Sequence, residues 1–299
     1  MKVKAVIVWC LAIILLIVGG IFLKVNYQEL KEIQTDINKI ENRMADAEKE
    51  KRWENADSAA VKNNEAENMK ENNVQGSGSQ EQIPVKEKKI ALDPGHQSEN
   101  VDMSEMEPMG PGSSEMKAKA STGTVGNTTG KREYELNLEI ALKLREELQT
   151  RGYEVIMTRE DNDIAISNKE RAELAAQECA DIFVRIHANS SEDSEVQGAM
   201  TMVPSEENPY VGALSAESSR LGRCIIDSYC EATGMLNKGV QYYDNMTGIN
   251  WSQIPVTIIE MGFMSNEEDD TNMADADYQI SMVQGIADGI DEYFGNVSE

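Results

Sequence analysis

From about Lys86 to its end, the chain alternates short apolar runs with segments of helical period, and this alternation narrows the folds open to it more than any other feature. "KKIALDPG", "YEVIMTR", "DIFVRIHA", "VQGAMTMVP" and "IPVTIIEMG" each read as a short buried strand. Between and after them lie "YELNLEIALKLREELQTRG", which stops at Gly152, "SNKERAELAAQEC", which opens on a Ser cap, "GALSAESSRLGRCIIDSYCEATG" and "DYQISMVQGIADGIDEYF". Each carries apolar residues at the three-to-four spacing that lines one face of a helix. Strand and helix in alternation predict an α/β fold: a single globular domain over 86–299 with a largely parallel central sheet flanked by helices. A chain of 299 residues is long enough to bury a sizeable core of this kind.

The first 85 residues read differently. Ala5 to Leu23 contains no charged residue and as a helix gives roughly 28 Å of apolar length, enough to span a bilayer. The run is longer than the apolar core of a secretory signal and leads directly into Lys24, so residues 1–24 are expected to form a cytoplasmic tip and an uncleaved transmembrane anchor. Lys2 and Lys4 favour the amino terminus inside and the rest of the chain outside the cytoplasm. Cleavage would instead release the same domain as a secreted one. Over 26–54, Leu30, Ile33, Ile37, Ile40, Met44 and Ala47 form an a/d seam of about three heptads. It fits a short coiled coil that pairs with itself or with another membrane protein, or a solitary amphipathic spacer helix. Residues 55–85 are polar and close in Gly/Ser repeats, as a disordered linker would. Of four cysteines, Cys10 lies in the apolar run, leaving Cys179, Cys224 and Cys230, with neither metal-like spacing nor an even count. Six residues along a helix is too far for Cys224 and Cys230 to bond, so buried free thiols are expected.

Charge excludes one class of partner. With 53 acidic against 28 basic residues and a formal charge of −25, the chain lacks the electrostatic footprint for nucleic acid. The histidines point to another chemistry. There are only two, and both follow strand patterns: His96 in "KKIALDPGHQSE" and His187 in "DIFVRIHANSSE". Ligands of open α/β sheets bind beyond the carboxyl ends of the strands, where Glu260, at the end of "PVTIIE", also falls. Either histidine alone would be read as a hydrogen-bonded core or loop residue. Together with a carboxylate they make a His2Glu set of the kind that holds catalytic zinc, with three protein ligands and one position left open. Glu133, just ahead of a helix expected to start near Glu135, can face the same crevice. In so acidic a chain, however, Glu135 and Glu139 are its equals on residue type alone.

The segments "IALDPGHQ", "REYELNLEIALKLREELQTRGYEVIMTRE", "DIFVRIHANSS" and "PVTIIEMGFMSNEED", in this order, resemble the zinc-dependent N-acetylmuramoyl-L-alanine amidases of bacterial cell walls, over roughly Lys88 to Tyr293. The resemblance implies Zn2+ as cofactor. A histidine after the first strand, a glutamate four residues before the Asn of an N-L-x-I-A helix, and a histidine in an H-x-N turn would be its ligands. These positions are His96, Glu133 and His187. The family's catalytic glutamate, in E-x-G-F-x-S/T-N, corresponds to Glu260. The implied substrate is peptidoglycan, cut at the amide between N-acetylmuramic acid and L-alanine, on the cell-wall side of the membrane. A divisome component would then be the membrane protein that pairs with the seam. The same ligands would also serve another zinc peptidase or amidase of this fold, and an inactive membrane-anchored adaptor is the non-enzymatic alternative. One departure stands out. Where many relatives have a compact Gly-rich turn after the first histidine, this chain runs through a long segment rich in Met, Gly and Pro. Residues 100–130 are therefore expected to be a lid over the crevice or a passive loop.

Overall fold

The computed structural model describes residues 86–295. The expected anchor, coiled coil and linker lie outside the described residues, and among the described residues no helix is long and apolar enough to cross a membrane. In chain order the strands are β1 (Lys89–Pro94), β2 (Met106–Pro108), β3 (Met116–Ala118), β4 (Glu154–Met157), β5 (Ile182–Asn189), β6 (Ala199–Val203), β7 (Asn237–Tyr242) and β8 (Val256–Phe263). The helices are α1 (Glu133–Thr150), α2 (Asn168–Gln177), α3 (Ser215–Thr233), α4 (Thr247–Asn250), α5 (Glu267–Ala274) and α6 (Ala276–Phe294).

Six strands form one sheet in the order β4-β1-β5-β8-β6-β7. β4, β1, β5 and β8 are mutually parallel; β6 joins β8 antiparallel, and β7 runs parallel to β6. The sheet is thus largely parallel, as the alternation predicts. β7 went unread because "NKGVQY" lacks the apolar run of a central strand, and it occupies the exposed edge of the sheet. Short α4 and acidic α5 were missed because neither carries an apolar stripe long enough to show a period.

Alternate residues of the buried strands feed two cores. Ile90, Leu92, Ile182, Val184, Ile186 and Ile259 meet Leu136, Ile140 and Leu144 of α1, Leu221 and Ile225 of α3 and Ile286 and Ile290 of α6. Ala91, Phe183, Met200 and Ile258 face the other way, toward Ala172 and Ala175 of α2 and Ile249 of α4. Because the central strands are buried on both sides, they read as continuous apolar runs rather than alternating ones. β1 turns through α1 to β4 on one side, and β4 turns through α2 to β5 on the other. The crevice at the carboxyl ends of β1 and β5 is therefore the point where the winding reverses, the usual ligand position of such sheets.

α3 and α6 touch almost backbone to backbone. A Cβ on Gly289 would lie 2.5 Å from Ile225 Cα, and one on Gly285 would lie 2.7 Å from Tyr229 Cα. No side chain can retreat from a backbone atom, so the helices must separate to admit even a methyl group. Gly289→Ala is expected to cost about 1–3 kcal/mol in urea unfolding, whereas Ile280→Ala, at an exposed position of the same helix, should leave the midpoint nearly unchanged.

Candidate metal centre

The site begins with the turn after β1. Pro94, Gly95 and His96 leave the sheet with their carbonyls turned inward, and buried arginines meet each of them. Arg159 donates from Nε to Pro94 O (2.8 Å) and from Nη2 to Gly95 O (3.0 Å). Arg171 donates to Pro94 O (2.7 Å) and to His96 O (3.1 Å). Arg171 is held in turn by Asp93, fully buried, which accepts from Arg171 and Arg185 at 2.7 Å each and from the Thr158 hydroxyl. Burial alone would raise the Asp93 carboxyl, but the two guanidiniums outweigh it and hold the group far below the usual range. With its carbonyl captured, His96 takes a left-handed backbone (φ 63°), rare for a residue with a Cβ.

β5 supplies the second histidine. His187 stands in register with Glu260 on β8, so both side chains leave the same face of the sheet. Beyond them the register shifts between His187 and Asn189, and the Ala188 N–H, freed from the ladder, donates to Glu133 Oε1 at 3.2 Å. The His187 ring lies over the β1 turn, where a Cβ on Gly95 would fall 2.1 Å from the ring, so only glycine fits at 95.

Glu133 joins them from α1. The helix starts at Glu133 itself, two residues earlier than the sequence suggests, because the cap position Arg132 contributes no side-chain bond and no capping motif marks the start. The first turn of a helix favours an anion. Glu133 Oε1 lies 3.1 Å from His96 Nε2 and 3.3 Å from His187 Nδ1, and Oε2 accepts from Thr124 N at 2.8 Å. Asn137, one turn along, donates to Oε1 (3.3 Å) and to Gly95 O (3.2 Å), which ties the helix to the β1 turn. Side-chain exposures of 20% for His96, 4% for Glu133 and 12% for His187 leave one partly open approach, past His96. Glu135, the competing carboxylate, is exposed and outside the group.

These donors suit a metal ion. One ligand atom from each of His96, Glu133 and His187 lies within 4.8 Å of the others, and the set is two nitrogens and one carboxylate oxygen. Tetrahedral zinc with bonds of 2.0–2.2 Å sets its ligands roughly 3.3 Å apart, close to the spacing of Glu133 Oε1 from each ring. Burial pushes up on the Glu133 carboxyl, but its bonds to His187 and His96 prevail and keep it well below the ordinary range. Burial pushes His187 down to about 4, so its imidazole is neutral, and able to donate a lone pair, across the neutral range. A histidine with a depressed pKa supports the fold fully above its unfolded value near 6.5 and loses that support as pH falls toward 4.

Glu260 is the fourth polar group of this edge. Its Oε2 is sealed from solvent with no hydrogen-bond partner. Burial first, and the charge of Glu133 second, push its carboxyl well above the usual range, with Arg185 opposing. The surroundings thus treat the two glutamates oppositely, holding Glu133 ionised and favouring a proton on Glu260.

The long segment after His96 is bonded to the rest of the domain along its length. β2 and β3 pair as a small hairpin docked on the first turn of α2, where buried Glu107 accepts from Lys169 N, and Trp251 Nε1 donates to Pro108 O at 2.8 Å. Two readings of the cysteines also change. Cys230 is buried, but Cys224 is only partly covered and Cys179 is exposed, in a left-handed turn after α2. The sequence signal missed at this site is the arginines. "TRE" and "NKERAE" read as strand end and helix surface, yet Arg159 and Arg171 are among the largest fully buried side chains.

Residues 90–292 match the family model of the N-acetylmuramoyl-L-alanine amidases. LytC of Bacillus subtilis, an N-acetylmuramoyl-L-alanine amidase, is 28% identical over 211 residues, 71% of this chain and 36% of that protein. LytH of Staphylococcus aureus, a probable cell wall amidase, is 25% identical over 223 residues, 74% of this chain and 63% of its own length. The chain therefore spans about a third of LytC and under two thirds of LytH. Among solved structures, the catalytic domain of CwlV from Bacillus (Paenibacillus) polymyxa var. colistinus superposes with a TM-score of 0.55 at 28% identity, over 70% of this chain and 99% of that one. Ami1 of Mycobacterium smegmatis reaches 0.64 at 22% identity, over 71% and 99%, a likeness of fold.

Removing the charge of Asp93 should undo the β1 turn. Asp93→Asn leaves Arg171 and Arg185 buried without their counterion, a change that typically costs about 3–5 kcal/mol. Urea unfolding followed by circular dichroism should show a loss of that size, and a midpoint within error of wild type would mean that Arg171 is held by the carbonyls, and Arg185 by Asn168, without the Asp93 charge.

Proposed function

Because the chain belongs to the N-acetylmuramoyl-L-alanine amidase family, we propose that it hydrolyses the amide between N-acetylmuramic acid and the L-alanine of the stem peptide in peptidoglycan, with zinc held by His96, Glu133 and His187. The convergence of those three side chains at the carboxyl ends of β1 and β5 carries this reading. Zinc bound there would supply Lewis acidity, polarising the scissile carbonyl and acidifying a water molecule.

The chain's own residues do the rest. His187 stays neutral and Glu133 ionised, so the one offers a lone pair and the other a full negative charge. Glu260 is the proposed general base: its carboxylate takes a proton from the attacking water and returns one to the departing nitrogen. The surroundings that raise its pKa suit the second half of that cycle, when it must hold a proton. A cation beside it would counter the repulsion from Glu133 and restore the ionised form needed to begin. The apolar run Ala5–Leu23 supports an anchored enzyme whose catalytic domain faces the wall, and the a/d seam from Leu30 supports self-pairing or a membrane-protein partner.

Metal content and stem-peptide release, measured side by side on the wild type and five variants, separate the roles. His96→Ala, His187→Ala and Glu133→Ala should lose both zinc and activity. Glu260→Gln should keep zinc while losing about 10²–10⁴ in rate, and Glu135→Gln should match wild type. A fully active Glu260→Gln would remove the proposed base, and a zinc-free wild-type protein would remove the metal centre.

A further inference from the structure

The segment that leads from the hairpin back to α1 touches two of the three proposed ligands. His96 Nδ1 lies 2.9 Å from Ser121 Oγ and 3.2 Å from Ser121 O. Three residues later, Thr124 N donates to Glu133 Oε2 at 2.8 Å. Both ends of this stretch are fastened. Upstream, Lys119 O accepts from Asn168 N (2.9 Å) and from Asn168 Nδ2 (3.0 Å) on α2. Downstream, Gly123 takes φ 72°, with space for a Cβ already filled by Glu133 Oε2 at 2.3 Å. Gln97 N adds a bond to Ser121 O at 3.3 Å, closing the strap on the residue after His96.

A carbonyl oxygen can only accept. The contact of Ser121 O with the ring is therefore a hydrogen bond only in the tautomer that carries the His96 proton on Nδ1, which leaves Nε2 as the bare nitrogen, 3.1 Å from Glu133 Oε1. We infer that Ser121 is a positioning residue for the metal centre: its hydroxyl and carbonyl hold the His96 ring, through Nδ1, in the tautomer and orientation that present Nε2 to the metal. This rests on the proposed zinc reading. Such outer contacts fix the ring and raise ligand basicity, and losing one typically costs about 10–100-fold in metal affinity.

The hydroxyl contact is the shorter of the two and the one that substitution can remove. Ser121→Ala deletes it and keeps the backbone, while Ser121→Thr keeps a hydroxyl. Zinc affinity of the full chain, measured by competition with a chromophoric chelator, should fall at least about tenfold in Ser121→Ala and recover in Ser121→Thr. His96→Ala should abolish binding. A second readout needs no variant. With only two histidines in the chain, imidazole ¹H–¹⁵N spectra of the zinc-loaded protein are assigned by elimination and should show His96 protonated at Nδ1, with a proton that exchanges faster with solvent in Ser121→Ala. Wild-type zinc affinity in Ser121→Ala, or His96 protonated at Nε2, would overturn the inference while leaving the zinc centre standing. A wild-type chain that takes up no zinc would overturn both.

Discussion

The ion cluster around Asp93 is the constraint on which the site depends. Three buried arginines surround one buried carboxylate, a surplus of positive charge that a low-dielectric interior tolerates only if the excess is met by dipoles. The dipoles are the carbonyls of Pro94, Gly95, His96 and Tyr134, all of which accept from Arg159 or Arg171. Arg159, with no carboxylate of its own, shows the strain: burial, with Arg171 beside it, pushes its guanidinium down to about 9. The turn and the arginines thus hold each other in place. A carbonyl that points inward fixes the plane of its peptide, and with successive peptides fixed the His96 side chain has one direction left, outward over the end of β1.

The same logic explains what could be read in the sequence and what could not. The strands β1, β5 and β8 were legible because burial on both faces demands unbroken apolar runs, and the two histidines and Glu260 were legible because they interrupt those runs at their ends. Glu133 was not legible from chemistry. Among its neighbours Glu135 and Glu139 it differs only by sitting at the very start of α1, and no capping motif reveals that start. Resemblance chose it, and the geometry puts Glu133, not Glu135, beside both rings. The arginines were illegible for a different reason: Arg171 occupies a helix position that a charged residue normally uses to reach solvent, and only the tertiary fold shows that the position faces Asp93.

The segment from 100 to 130 illustrates how composition misleads. Its Met, Gly and Pro content suggests mobility, yet its polar groups are largely committed. Glu107 and Lys119 O engage the first turn of α2, and Thr128 N, Thr129 N and the Thr129 hydroxyl all reach Asp270 of α5. The hairpin turns its charged residues inward, Glu107 to α2 and Lys117 to Asn245 O, and leaves Met106 and Met116 exposed. An inverted pattern of this kind defeats hydropathy reading, since the burial that orders the segment is paid in hydrogen bonds rather than in apolar area. α2 therefore receives the insertion at its first turn and delivers Arg171 to the His96 carbonyl one turn later.

The two glutamates show how one acidic chain can assign different work to identical side chains. Glu133 lies beside two imidazoles and accepts from the Ala188 and Thr124 amides and the Asn137 side chain, so ionisation costs it little despite burial. Glu260 stands across the same edge with no donor at Oε2 and with the charge of Glu133 as its neighbour, so ionisation is expensive. A group stabilised only as an anion is suited to hold a cation and unsuited to move protons. A group that gains or loses a proton with small changes in the field around it is suited to the reverse. The proposed ligand and the proposed base thus differ in surroundings before any metal enters, because one lies at a helix start crowded with N–H groups and the other within a buried strand where no donor reaches its Oε2.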